Sequence, residues 1–188
     1  LGGYESAVHL MAKQIIDEHR YIVIPEFRHS IGRKMPTGDV LSEEVVVPGQ
    51  RLDFVDVRVE QTVDGLRPDV IGVTSDGTKI LIEVYVTHAV TDDKRERLAK
   101  KNLIELNLSV LPQDLVADEK LFAEEVLSGA GREWISCQLY REEIKTAQQA
   151  LQEKVKRFIT DHRARAEQAK TERRQRRLAE QAAEKKKV

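Results

Sequence analysis

Asp69 and Glu83 are carboxylates set among branched apolar residues, Asp69 ahead of Val70-Ile71-Gly72-Val73 and Glu83 between Ile80-Leu81-Ile82 and Val84. A carboxylate in a strand covered on both faces is costly unless it is paired or coordinates a cation, so two of them brought together point to a metal site. The donors at hand are hard oxygens, the two carboxylates and the Val84 carbonyl, and none is a thiolate. That set suits Mg2+ or Mn2+. The plainer reading is a solvated edge hairpin in which Asp69 pairs with Arg67, but side chains flanked in this way are hard to expose.

A hairpin must position the pair. Ser75-Asp76-Gly77 suits a three-residue loop whose glycine takes the left-handed position of a bulge. Thr74 then opposes Thr78, and Asp69 falls opposite Glu83. A two-residue loop at Asp76-Gly77 would shift the register by one and send the carboxylates to opposite faces. Alternation along the second strand puts Ile80, Ile82, Val84 and Val86 on a core face and Leu81, Glu83, Tyr85 and Thr87 on the face that carries chemistry.

An opening helix from Glu5 to about Glu18 is expected from Val8, Met11, Ala12 and Ile15. Beside that apolar set, Glu5, His9 and Lys13 step four residues at a time along one stripe. Such a stripe lines a site or is simply a solvated row of charges.

Arg67-Pro68-Asp69-Val70, the hairpin, Ile82-Glu83-Val84, Val86-Thr87-His88, the charged helix from Thr91 and Leu106-Asn107-Leu108-Ser109 resemble, in that order, the PD-(D/E)XK nuclease superfamily. The stretch from Gly65 to Ser109 is similar to its competence-protein CoiA-like branch. The resemblance implies an α/β fold with a restriction-endonuclease-like core, a mixed central β-sheet flanked by helices. It also implies metal-dependent hydrolysis of DNA phosphodiester bonds, with Asp69 and Glu83 as catalytic ligands and the opening helix contributing Glu5 and, secondarily, His9. The ion would polarise a phosphodiester oxygen and lower the pKa of an attacking water. The superfamily pattern places a lysine two residues after the glutamate, where this chain has Tyr85, which cannot supply a positive charge. Lys13 is the first candidate for a relocated cation and Lys94 the second. His88 ends the strand in register with the apolar face, so it is a secondary candidate for contacting a phosphate or a water and otherwise caps the next helix.

Composition bounds the rest. The chain has 188 residues with 40% hydrophobic content, which suits one domain with an appendage. Its single cysteine, Cys137, excludes an internal disulfide framework and any cysteine-rich zinc module. No apolar run reaches the length of a membrane span and no signal sequence opens the chain, so the expected compartment is the cytoplasm. The start at Leu1 rather than methionine is what a piece of a longer chain would show.

The net charge of −1 hides an asymmetry: residues 154–188 hold 13 Lys/Arg against 5 Asp/Glu, leaving 18 against 27 in the first 153. The acidic body includes the candidate ligands, and the basic end is the natural place to meet phosphates. Arg173, Arg174, Arg176 and Arg177 are the tail candidates for nucleic-acid contact. Lys94 and Arg97, on a helix expected from a Thr91 cap to about Asn102, are the candidates in the body, although charges on a connecting helix usually form its solvated side.

The remaining expectations concern organisation. Tyr21–Pro25 reads as extended, the polar stretch around Arg28, His29, Arg33, Lys34, Pro36 and Gly38 as a loop, and Val45–Val47 and Phe54–Val59 as strands. Leu103–Val110 is expected to run parallel to the Glu83 strand through a right-handed crossover. Asp118–Ser128 reads as a helix, and Trp134 as a packing residue. Residues 1–140 form the nuclease-like domain and 141–188 a long charged helical extension. In the extension, Ile144, Ala147, Leu151, Val155, Phe158 and Ile159 make a stripe that docks on the body or pairs with a second copy.

Three readings follow. The chain is a metal-dependent nuclease acting on DNA, a catalytically silent relative that binds nucleic acid or a protein partner, or a helical interaction module.

Overall fold

A computed structural model describes residues 2–63, 65, 67–87 and 100–185. The chain is a mixed α/β protein that divides into two compact units, residues 1–29 with 45–142 and residues 30–44 with 143–188.

The first unit is built on a five-stranded mixed sheet in the order β5 (Asp56–Val59), β6 (Val70–Val73), β7 (Lys79–Tyr85), β8 (Asn102–Asn107) and β9 (Gly131–Ser136). β7 and β8 run parallel, as expected of a crossover, and the other neighbours are antiparallel. The connecting helix expected from Thr91, with Lys94 and Arg97, lies outside the described residues, as does His88. A shorter ladder joins β1 (Tyr21–Ile24) to β4 (Gln50–Asp53).

One face of the sheet carries the main core. Val70, Ile80, Ile82, Val84, Ile104 and Leu106 meet Val8, Ala12, Ile15 and Ile16 of α1 (Gly2–His19). α1 ends where Arg20 turns to a left-handed φ of 54° while its amide still donates to the Ile16 carbonyl. The other face holds a smaller cluster of Ile71, Leu81 and Leu103 with Val63, Val73 and Ile135. Both faces of the central strands are therefore apolar, which is why their sequences read as nearly continuous hydrophobic runs.

Two short helices, α2 (Gln113–Ala117) and α3 (Glu119–Glu124), lead into a single π-helical turn, Glu125–Gly129, where one helix was expected. Asp118 caps α3, its carboxylate accepting from the Lys120 and Leu121 amides at 3.0 Å each. The end of the π turn is held by Arg132. Its guanidinium donates to the carbonyls of Ala130, Leu127, Glu125 and, across the unit, Val23, at 2.8–3.0 Å. Trp134 packs against the main core and donates its indole N–H to the Pro25 carbonyl at 3.0 Å.

Of the segment Phe54–Val59, only Asp56–Val59 is strand. The segment breaks after β4 because Phe54 turns into the core at 5% exposure, leaving Val55 60% exposed before β5 begins. Gly72 makes room for this: a Cβ there would overlap the Phe54 ring. Gly72→Ala is accordingly expected to cost about 1–3 kcal/mol in urea unfolding, by forcing a ring out of place in a filled core. Combining it with Phe54→Leu should recover part of that loss, whereas strict additivity would show that the ring is not the obstacle.

In the second unit the stretch around Gly38, expected to be a loop, is a two-stranded ribbon of β2 (Phe27–Lys34) and β3 (Val40–Val47). Its charges concealed a strand because a ribbon with one solvated face needs few apolar residues. Ile31, Met35 and Leu41 pack with Leu151, Val155, Phe158 and Ile159 of α4 (Arg141–Lys185), so the later part of the apolar stripe, from Leu151 to Ile159, is covered here. Beyond Ile159 every described residue of α4 is exposed.

Candidate functional site

The hairpin that carries the carboxylates closes as the three-residue turn. The Thr74 amide donates to the Thr78 carbonyl at 2.9 Å, the Gly77 amide to Thr74, and Gly77 sits at φ 83°. The pairs Val73↔Lys79 through Val70↔Ile82 then set the ladder, which ends one residue short of Asp69 and Glu83. A hydrogen bond marks the same junction: the Val84 amide donates to Asp69 Oδ2 at 2.8 Å. Asp76 steadies the turn from within, accepting from the Thr74 hydroxyl and from the amide and hydroxyl of Thr78, and these bonds hold its pKa below the ordinary aspartate value.

The polar stripe of α1 meets this end of the sheet at three successive points. Glu5 accepts a hydrogen bond from Thr87, just past β7. His9 Nδ1 stands 3.9 Å from Asp69 Oδ2. Lys13 donates to Glu60 Oε1 at 2.5 Å. Four-residue spacing on a helix produces this comb, each side chain reaching one strand end. Lys13 is itself buried, at 7% exposure.

Glu60 was not foreseen as part of the site, yet it ties several of these groups together. It adopts a left-handed φ of 52°, rare for a residue with a side chain. Four bonds hold it there: its amide donates to the Asp69 carbonyl at 3.0 Å, its carboxylate takes Lys13 and Arg67, and its carbonyl accepts from Arg67 Nε at 2.9 Å. Arg67 thus pairs with Glu60 rather than with Asp69 as the plainer reading had it. The turn that creates this geometry left no periodic trace in the sequence.

Lys13 first, and then Arg67, hold the Glu60 carboxyl below its ordinary value of 4.5. A carboxylate with a lowered pKa contributes stability that is present above its unfolded value and lost as pH falls through the folded one. The stability difference between the native chain and Glu60→Gln should therefore be constant near neutrality and close below about pH 4.5, which a urea series across acid pH would record. A difference that persists unchanged at pH 2 would mean that the charge on Glu60 is not what holds this junction.

Glu83 is buried at 7% exposure, and its partner in parallel register on β8 is Glu105, buried at 6%. Glu133 on β9 is in turn the partner of Glu105 and is exposed. The ladder therefore sets Glu83, Glu105 and Glu133 abreast across three strands, with Asp69 one residue before β6. The argument that singled out Glu83, a carboxylate inside an apolar run, applies equally to Glu105 in Leu103-Ile104-Glu105-Leu106. Tyr85 is half-buried at the end of β7 and pairs with Asn107. No family model, curated protein or solved structure matches the chain.

Proposed function

We propose that the first unit is a metal-dependent nuclease domain of the PD-(D/E)XK type, with Asp69 and Glu83 as the groups that hold the ion. What supports this reading is the hairpin, whose register continued one step past Val70↔Ile82 would bring Asp69 opposite Glu83, with His9 of α1 3.9 Å from Asp69. Among the described residues no group of three or more His, Cys, Asp or Glu side chains is spaced to hold a metal ion. The donors fit a different kind of site, in which two carboxylates and the Val84 carbonyl bind Mg2+ or Mn2+ that keeps several waters and takes up substrate phosphate. Such an ion would supply Lewis-acid polarisation of a phosphoryl oxygen and a more acidic water.

The chain's own groups would orient and tune that site. The Val84 amide fixes one oxygen of Asp69, His9 lies beside it, and Glu60 holds Lys13 at the same strand ends. A second reading rests on two observations: Tyr85 stands where the catalytic lysine would be, and Lys13 is engaged by Glu60. In that reading the domain binds nucleic acid without cutting it.

The test is a cleavage assay on linear and circular DNA with Mg2+ or Mn2+. Metal-dependent cleavage that disappears in Asp69→Asn supports the nuclease. No cleavage by the native chain, with binding of DNA retained, supports the silent domain instead.

A further inference from the structure

The exposed portion of α4 has a use that the carboxylate site does not explain. From Thr160 onward nothing among the described residues covers it, and its composition is strongly basic. Arg163, Lys170, Arg174 and Arg177 are spaced by 7, 4 and 3 residues. At 3.6 residues per turn that spacing confines them to a sector of about 60°, along roughly 21 Å of helix. Glu167 occupies Lys170 at 2.7 Å, and Glu180 takes the neighbouring Arg176 at 3.0 Å. Among the described residues no ion pair engages Arg163, Arg174 or Arg177. The helix therefore presents a straight row of four cations, of which its own carboxylates engage only Lys170 among the described residues.

We propose that this row is a docking surface for double-stranded DNA, held through its phosphates. Three features select that occupant. The side opposite the row carries Asp161, Gln168, Glu172 and Gln175, so the helix has no apolar face to lay into a lipid surface. A second copy of the helix would bring like charges together, and after Ile159 the apolar positions fall away to alanines and Leu178, too few for a coiled-coil seam. A bare helix about 10–12 Å across suits the major groove of B-form DNA, about 12 Å wide, whereas the major groove of A-form RNA is deep and narrow.

This inference goes beyond the nuclease reading and does not rest on it, so it is tested with chelator present and no cleavage in play. Binding of the full chain to a fluorescent 20-bp duplex would be followed by anisotropy over about 50–300 mM salt, a range in which phosphate contacts are strongly screened. The variant carries Arg163→Gln, Lys170→Gln, Arg174→Gln and Arg177→Gln, which keep helix propensity. Its log–log salt slope is expected to be shallower by about 3 to 4, because each lost phosphate contact removes about 0.9. Circular dichroism should show unchanged helix content. Asp69→Asn should leave the slope as it is, so failure of the carboxylate reading would not mimic failure of this one. An unaltered slope in the four-site variant overturns the proposal, and so does equal affinity for an A-form RNA duplex or for phosphatidylserine vesicles.

Discussion

Arg132→Ala is expected to cost about 3–5 kcal/mol of unfolding free energy, the upper range for a single substitution. The guanidinium donates to four backbone carbonyls drawn from the π turn, from the approach to β9 and from β1. Burial pushes its pKa down to about 10, against the pull of Glu125, so it remains charged at neutral pH. Removing it leaves several acceptors without their donor and a cavity where the side chain stood. The planar fork is what allows one side chain to serve four acceptors, so Arg132→Lys, with its single ammonium, should recover less than half of the loss. Urea unfolding of both variants provides the check. A loss below about 1 kcal/mol in Arg132→Ala would mean that water replaces the guanidinium and that the π turn needs no such tie.

Manganese should raise the thermal stability of the native chain, and Glu83→Gln should abolish that rise. At a concentration of one hundred times its Kd, a ligand that binds only the folded state adds about 2.7 kcal/mol. Glu83 and Glu105 are buried side by side in register. Glu83→Gln keeps the shape and removes one charge. The variant is expected to keep its fold while losing its metal response. Asp69→Asn should lose the metal response as well. If manganese stabilises Glu83→Gln as much as the native chain, Glu83 is not a ligand and the nuclease reading loses its second carboxylate.

The hairpin was legible because its information is local. Ser75-Asp76-Gly77 dictates a turn type and the turn dictates the register of β6 on β7; neither step needs the rest of the fold. The α1 stripe was legible for the same reason, since a four-residue step places Glu5, His9 and Lys13 together whatever lies opposite. The parallel pairing of β7 with β8 followed from the length of chain between them. The ribbon of β2 and β3 was not legible: with one face in water and only a few apolar residues on the other, its pattern is close to that of a polar loop.

What the comb on α1 would touch was a tertiary matter. Glu60 meets Lys13 across 47 positions and Thr87 meets Glu5 across 82, separations over which a periodic pattern carries no signal. Glu60 also depends on a left-handed backbone that four converging hydrogen bonds sustain, and no residue type announces that conformation at a glutamate. The four carbonyls gathered by Arg132 belong to the same class, because backbone acceptors are identical at every position and only packing selects which ones converge. The sequence by itself thus determined α1, the central strands and the Ser75-Asp76-Gly77 turn, since each follows from short-range sterics and alternation. The tertiary structure alone decided the partners of Lys13, the burial of Glu105 beside Glu83 and the covering of the apolar stripe of α4, because these depend on which surfaces meet once the chain is compact.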